Sequence, residues 1–260
     1  HAVIVEKLSQ KRMMSGMHAL WSVGCFAGAG LFSILAKLGL GISQIAIIHC
    51  IIIFMIIFAF SRYFLPYKGA SNGKAIAIPK GIVTLFGVLA VISFLGEGGM
   101  MDWSGVFLTE AKGVDLSLAG VGYAVFSAAM LIGRLIGDKV VQKLGEQRVV
   151  IFGGIVASIG YIISIVFDNF FMMQFGFILL GFGAANIVPV VFTLLGRQKE
   201  MPINSAVTAV TSMGYLGVMF GPALLGFIAH GIGIVAVFCI LAGLFILQAI
   251  VSSYVFKVLN

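Results

Sequence analysis

Two carboxylates stand in an otherwise apolar segment, FLGEGGMMDWSGVFL, which covers residues 94–108. They are Glu97 and Asp102, and an apolar run precedes them. An ionised carboxylate inside a lipid bilayer is energetically costly, so acids found there usually serve transport or proton transfer. On a helix that turns 100° per residue, their spacing separates the two side chains by about 140°. The two acids are therefore not expected to form a pair on one helix face.

Three interpretations of Glu97 compete. It could couple transport to protons, because burial raises the pKa of a carboxyl group. It could accept hydrogen bonds from a polyol or an amine solute. It could also be a structural acid that caps a neighbouring helix or pairs with a base near the outer surface.

The distance from the nearest base predicts how deep these acids lie. Glu97 follows Lys80 by 17 residues, which is about 25 Å along an α-helix, while Asp102 lies about 33 Å along it. Because the hydrocarbon core is about 30 Å thick, we expect Glu97 in the outer part of the membrane. We expect Asp102 and Trp103 at the outer vestibule, Trp103 being either an interface anchor or a stacking platform for a sugar ring. A helix break would change this depth, and glycine, which weakens helices, occurs at Gly96, Gly98 and Gly99.

A second group of polar side chains shares one face of a later helix. Its members, spaced by 4, 3 and 4 residues, are Asn204, Thr208, Thr211 and Tyr215. Three small residues on a different face, Gly214, Gly217 and Gly221, would let another helix approach closely. The polar face could line a solute pathway, or its hydroxyl groups could bond back to their own helix carbonyls.

Other polar residues inside apolar runs are isolated. Asn186 lies three residues before Pro189, and a proline frees a backbone carbonyl that an amide or a solute could use. The two residues could mark a bend in a solute-lining helix. His49 is expected to be structural, and His18, near the end of a span, is expected to be solvated.

Membrane-spanning helices must position all of these side chains. The chain of 260 residues is 61% hydrophobic and only 10% charged, whereas soluble domains are about half apolar and a quarter charged. Each bilayer-spanning helix needs about 20 mostly apolar residues. The sequence therefore predicts an all-α polytopic membrane protein. Its eight predicted spans are residues 14–37, 41–63, 80–107, 116–139, 148–167, 170–196, 203–229 and 232–256.

The basic residues predict the orientation of these spans. Of the 16 Lys and Arg residues, 14 fall on one side of the eight-span arrangement, and only Lys37 and Lys112 fall on the other. Loops rich in Lys and Arg stay in the cytoplasm, so both ends of the chain are predicted to be cytoplasmic. The Pro-, Gly- and Lys-containing stretch at 65–79 reads as a linker. It divides residues 1–64, with two spans, from residues 80–260, with six.

One loop motif combines small residues, an acid and bases. It reads GRLIGDKVVQKLGEQR, at residues 133–148. It resembles the loop motif of the major facilitator superfamily, in which a glycine, an acid and a base precede a second glycine and further bases. The corresponding residues are Gly133 or Gly137, Arg134, Asp138 and Lys139. The match departs from the pattern in a longer stretch up to Gly145 and in Glu146-Gln147 where bases are expected.

Three further segments resemble helices of one bacterial, sugar-permease-like branch of that superfamily. HALWSVGCFAGAG (18–30) resembles its fifth helix and EGGMMDWSGVFL (97–108) its seventh, while GYLGVMFGPALLGFIA (214–229) resembles the eleventh helix of the superfamily. The resemblance implies that the eight spans are helices 5 to 12 of a twelve-helix transporter. They would be the last two helices of the N-terminal half and the complete six-helix C-terminal half. The 260 residues alone would then be unable to transport.

The resemblance also implies a cytoplasmic gate. Asp138 would face the N-terminus of the seventh span, near residue 203, while Arg134 and Lys139 would pair across the cytoplasmic face. These contacts would break when the two halves rock. The alternative is that the two bases only fix the topology through the positive-inside rule.

The function implied is secondary transport of a small solute across the bacterial inner membrane, with a sugar or related metabolite favoured. Symport with protons stays open. A second interpretation within transport is export of drugs or toxic compounds. An interpretation of another class is a non-transporting membrane receptor or assembly subunit.

Other classes of function find no support in the sequence. It contains no HExxH, GxSxG or P-loop pattern, so we do not expect an enzyme. The three cysteines lie in apolar runs without metal-ligand spacing, and neither a metal nor a cofactor is expected. The bases lie in short loops instead of on one face, so nucleic acid is not an expected partner. The expected partners are a small solute, protons and the lipid bilayer, and the full-length protein is expected to be a monomer.

Overall fold

A computed structural model describes residues 2–64 and 77–259 of the chain. The predicted linker at 65–79 falls almost wholly outside these residues. Within the described ranges every regular element is helical. The prediction of an all-α membrane protein is therefore confirmed.

Ten α-helices make up the described chain. They are α1 (Ala2–Ser9), α2 (Met14–Lys37), α3 (Ile42–Phe60), α4 (Ile82–Val106), α5 (Val121–Leu144), α6 (Glu146–Val166), α7 (Phe170–Ala184), α8 (Ile187–Leu195), α9 (Ile203–Ile232) and α10 (Ile234–Leu259). A π-helical turn at Phe107–Ala111 extends α4, and short 3-10 turns occur at Ser61–Tyr63 and Leu116–Leu118.

Seven stretches of the described chain are long and apolar enough to cross a membrane. Six of them contain α3, α4, α5, α6, α9 and α10, and the seventh joins α7 to α8 over Phe170–Leu195. They match seven of the eight predicted spans. The remaining predicted span, 14–37, coincides with the 24-residue helix α2, and its crossing of the membrane stays a prediction.

Helix α4 contacts several other helices of the bundle. It packs along α9 on one side and against α10 on another, while α6 lies between α7 and α10. Helix α5 packs on α7 and also on α2, which joins the N-terminal helices to the rest. Large aromatic side chains fill the core, with Phe86, Phe107, Tyr161, Phe177 and Phe238 fully buried.

Glycines in α4 allow close packing and do not break the helix. The helix continues without interruption through Gly96, Gly98 and Gly99. A side chain at Gly96 would collide with the ring of Phe245 in α10, and one at Gly99 would collide with Leu241. The break considered from the sequence does not occur, because helix α10 occupies the space that these glycines leave open.

The glycine face predicted for α9 packs as expected. Side chains at Gly214 and Gly221 would collide with Phe94 and Leu95 of α4, and one at Gly217 would press on the carbonyl of Val91. Helix α3, in contrast, exposes almost all of its side chains. Its His49 lies within hydrogen-bonding distance of two backbone carbonyls, those of Ile45 at 2.8 Å and Gly28 at 3.2 Å, which supports a structural role.

Candidate functional site

An ion pair lies in the interior between α4 and α5. Nη2 of Arg134 is 3.1 Å from both carboxylate oxygens of Glu97. The Arg134 side chain is 7% exposed and that of Glu97 is 23% exposed. The carboxylate is therefore the accessible member of the pair, and the guanidinium lies behind it.

Arg134 also contacts two other parts of the bundle. Its Nη1 donates to Oγ of Ser22 in α2 at 3.2 Å, and its Nε donates to the backbone carbonyl of Ala185 at 3.4 Å. Ala185 lies in the break between α7 and α8. The guanidinium of Arg134 thus links α4, α5, α2 and the break between α7 and α8. A change of charge at Glu97 would alter the contacts among these elements.

The helix break supplies a free acceptor beside this pair. Asn186 is buried, and its Nδ2 donates to the carbonyl of Gly133 at 3.0 Å. Its Oδ1 is buried without a hydrogen-bond partner among the described residues. A buried acceptor without a partner is costly, and this one lies in the packed interior against Gly137 of α5. The bend expected near Asn186 and Pro189 is present, because α7 ends at Ala184 and α8 begins at Ile187.

Two motif glycines bring the polar groups together. A side chain at Gly133 would collide with Ala185, and one at Gly137 would collide with the amide of Asn186 and with Ser15 of α2. The absence of side chains at these positions lets α5 touch both the helix break and α2. Tyr161 of α6 is fully buried and donates to the carbonyl of Gly96, immediately before Glu97, at 3.1 Å.

Glu97 lies near the middle of its helical stretch. The continuous stretch runs from Ile82 to Ala111, so Glu97 is 15 residues from its start and 14 from its end. The stretch extends past the predicted end at residue 107. The depth of Glu97 in a membrane stays a prediction.

Two carboxylates cap the N-terminus of α2. Asp138 accepts hydrogen bonds from the backbone N–H groups of Ser15 and Gly16, at 3.0 and 2.9 Å. Glu6 accepts from those of Met13 and Met14, both at 2.9 Å. The first N–H groups of a helix lack partners within the helix and carry partial positive charge. These two acids satisfy them from outside.

These contacts correct the predicted partners of two motif residues. Asp138 does bind a helix N-terminus, but it is that of α2 and not that of the seventh span near residue 203. Arg134 pairs with Glu97 in the interior instead of with a partner across the face of the bundle, and Lys139 is exposed. The cause is the packing of α5 on α2, which places Asp138 and Arg134, one turn apart, against the same neighbouring helix.

A third carboxylate joins more segments at the same end of the bundle. Glu146, the first residue of α6, pairs with Arg12 at 2.6 Å and with Arg197 at 2.8 Å. Thr193 of α8 donates to Glu6 at 2.6 Å. We call this region, defined by Glu6, Arg12, Asp138, Glu146 and Arg197, the basic-end network. It ties the segment before α2 to α5, α6 and α8.

The remaining predicted site residues lie apart from the ion pair. Thr208 lines an open cavity of about 440 Å³ together with Asn204, His18 of α2 and Phe192 of α8. Tyr215 is half exposed beside Phe94, and Thr211 is partly buried. This polar face of α9 is thus partly turned toward α2.

The two residues predicted for the outer vestibule differ in exposure. Asp102 is exposed on α4. Trp103 is partly buried, its ring stands against Gly226 of α9, and its Nε1 is buried without a partner among the described residues. The two neighbours on the chain therefore face different surroundings.

Several functional contacts had no signal in the sequence. Ser22, Ala185, Tyr161 and Glu6 are ordinary residues in their segments, and only folding brings them to Arg134, Glu97 or the start of α2. The described residues hold no group of three or more His, Cys, Asp or Glu side chains able to bind a metal ion.

The sequence profile of the Major Facilitator Superfamily matches residues 86–259. The chain belongs to this superfamily. An uncharacterized MFS-type transporter of Yersinia pestis is 45% identical over 232 residues, which cover 88% of this chain and 60% of that protein. An uncharacterized transporter of Sinorhizobium fredii is 29% identical, over 87% of this chain and 61% of its own length. The membrane protein MosC of Rhizobium meliloti is 26% identical, over 90% and 57%.

A solved structure shares the superfamily fold. The human organic anion transporter MFSD10 superposes with a TM-score of 0.57 at 18% identity, over 67% of this chain and 42% of that one. The chain spans about 60% of the length of the relatives it matches. This major facilitator chain is therefore comparable with only part of each of them.

Proposed function

We propose that this major facilitator chain forms the last eight helices of a secondary transporter that moves a small solute by alternating access. In this proposal α2 also crosses the membrane, as the first of the eight spans, and the basic-end network lies at the cytoplasmic face of a bacterial inner membrane. Residues 1–64, 65–79 and 80–260 are the end of the N-terminal half, the central linker and the C-terminal half. The 260 residues alone are expected not to transport.

The observation that carries the proposal is the Arg134–Glu97 pair in the interior, whose acid lies near the middle of its helical stretch. Charged side chains inside a membrane are costly and usually belong to solute or proton pathways. Stability alone does not account for the pair, because apolar residues of similar volume often stabilise a protein as much as a buried ion pair does. The pair also reaches α2 through Ser22, so its state acts on the contact between the two proposed halves.

Glu97 is the proposed proton-coupling group. When it is ionised, it holds Nη2 of Arg134. When it takes up a proton, the attraction between the two side chains falls, and Arg134 is free to strengthen its contacts to Ser22 and to Ala185. Protonation would thereby change the α2–α5 contact that must move when the halves rock.

A polar solute suits the accessible carboxylate of the pair. Glu97, whose side chain is 23% exposed, accepts hydrogen bonds, and hydroxyl groups donate them. This favours a sugar or a related hydroxylated metabolite. The polar centre also favours transport over the receptor interpretation, for which a dry core would be expected.

The basic-end network is the proposed gate. Glu6, Asp138 and Glu146 hold the start of α2 and the segment before it against α5, α6 and α8. Opening toward that end requires these contacts to break. The network thus stabilises the state in which this face is closed.

The test of proton coupling uses Glu97→Gln in the full-length transporter, reconstituted in liposomes with a solute identified by thermal-shift screening. Proton-driven uptake is expected to be lost, while exchange of labelled solute for unlabelled solute continues. Glu110→Gln is the matched control, since Glu110 is an exposed acid at the end of the same helical stretch. Uptake by Glu97→Gln with unchanged rate and pH dependence would refute the coupling role.

A further inference from the structure

An open pocket at the basic end carries a strong excess of positive charge. Its volume is about 540 Å³, and it lies between α1 and the segment that follows α8. Its charged lining residues are Glu6, Lys7, Lys11, Arg12, Arg197 and Lys199. Five bases and one acid therefore line one concave surface.

The acids at this pocket are already engaged. Glu6 accepts from two backbone N–H groups and from Thr193. Glu146 is shared between the two arginines, Arg12 and Arg197. Subtracting these two acids from the five bases leaves a formal excess of three positive charges.

Three lysines account for this excess. Lys7, Lys11 and Lys199 are exposed, and no salt bridge in the described chain involves them. They come from both sides of the pocket, two from the segment before α2 and one from the segment after α8. Like charges that line one pocket repel one another, so an anion between them would lower the energy of the arrangement.

The charged groups and the volume of the pocket favour one class of anion. Lysine ammonium groups bind phosphate oxygens as point charges and can approach one phosphate from several directions. The volume exceeds that of a single phosphate group, which leaves room for the organic part of a larger molecule. Basic pockets at the ends of membrane helices are a usual site for phospholipid headgroups.

We infer that this pocket binds a phosphate-bearing anion, held by Lys7, Lys11 and Lys199. The anion bridges α1 to the segment after α8, next to the basic-end network, and so strengthens the closed state of this face. Binding does not depend on the transport activity proposed above. The source of the phosphate is a lipid headgroup or a soluble organic phosphate.

The test measures binding to the full-length transporter in nanodiscs of phosphatidylcholine. Phosphatidylglycerol is added to the bilayer in one arm, and inorganic pyrophosphate is added to the buffer in the other. Retained lipid is counted by native mass spectrometry, and soluble anion binding is followed by the shift in thermal unfolding. Retention of phosphatidylglycerol without stabilisation by pyrophosphate identifies a lipid headgroup as the ligand. Saturable stabilisation by pyrophosphate identifies a soluble phosphate.

The decisive variant replaces Lys7, Lys11 and Lys199 together by Gln. The control replaces Lys80, Lys143 and Lys257 by Gln, because these lysines are also exposed on the described chain but do not line the pocket. We expect about a hundredfold weaker binding for the pocket variant and near-normal binding for the control. Replacing the three pocket lysines by Arg should restore most of the binding.

Two results would overturn the inference. One is equal loss of binding in the pocket variant and the control, which would mean that only the total charge matters. The other is no saturable binding in either arm by the unmodified protein. Because the lysines are exposed, all variants should fold, and a normal elution profile and unfolding midpoint without anion would verify this.

Discussion

The centre of the bundle and its basic end hold charges in opposite ways. At the centre, Arg134 meets one carboxylate, that of Glu97, and its side chain is almost fully buried. At the basic end, Glu6, Asp138 and Glu146 together meet backbone N–H groups, a threonine and two arginines. The first arrangement has a single charged partner, whereas the second divides its charge over many groups.

This difference indicates where a single proton or a single mutation changes stability most. A buried pair leaves an uncompensated charge when one partner changes, at a cost of about 3–5 kcal/mol. Pairs near solvent contribute about 0–1 kcal/mol each, because water and salt replace the lost partner. The centre is therefore suited to respond to one proton, and the basic end is suited to open and close without a large barrier.

The largest expected effect comes from Arg134→Gln. It leaves Glu97 without its cationic partner, so the free energy of unfolding should fall by about 3 kcal/mol and uptake should be lost. The double variant Arg134→Gln/Glu97→Gln removes both charges and should recover much of the stability but not the uptake. Thermal unfolding of the purified full-length protein measures this, and equal stability of the single and double variants would contradict it.

A smaller loss is expected for Gly137→Ala, at the point where centre and basic end meet. The added methyl group would collide with Asn186 and Ser15, and overpacking of this kind costs about 1–3 kcal/mol. Gly98→Ala is the control, since nothing in the described chain lies within 4 Å of a side chain there. Unfolding midpoints of the two variants should separate clearly, and matching midpoints would mean that α5 does not need this close approach.

Asp138→Asn should change stability by about 1 kcal/mol, with a larger effect on conformation. The amide keeps one acceptor oxygen for the N-terminus of α2 but loses the charge that the helix dipole favours. We expect the population to move toward the state open at the basic end, measured by distances between spin labels on the two halves. Unchanged transport together with an unchanged population would remove the gate interpretation of Asp138.

The smallest effect is expected for Glu146→Gln. Its carboxylate is only 9% exposed, but its partners Arg12 and Arg197 are 34% and 56% exposed, so the loss should stay at about 1 kcal/mol. It should also vanish in 1 M salt, where the Debye length is about 3 Å. Asp168→Asn, which removes the exposed partner of Lys112 at the opposite end of the bundle, is the control, and a salt-independent loss at Glu146 would show that this carboxylate acts through packing.

Much of the helical framework follows from local sequence. Runs of apolar residues predicted the positions of the spans. Three glycines at helical spacing, Gly214, Gly217 and Gly221, predicted the face of α9 that packs on α4. The resemblance of the loop motif to the superfamily pattern also implied that Asp138 binds a helix N-terminus, which it does. Each of these properties depends on residues close together in the chain.

The partners of the charged residues could not be predicted in this way. Asp138 was assigned to the wrong helix, and Arg134 to contacts across the face of the bundle instead of to Glu97 in the interior. In both cases the outcome depends on how α5 packs against α2 and α4. Those are properties of packing between segments more than 35 residues apart.

The sequence by itself determined that this is a helical membrane protein, which residues carry charge inside it, and which small residues permit close contact. The tertiary structure alone decided that Arg134 meets Glu97, Ser22 and Ala185 at one point. The physical reason is that hydrophobic periodicity specifies which face of a helix is buried but not which neighbour covers it. That choice is made by the fit of whole helices against one another.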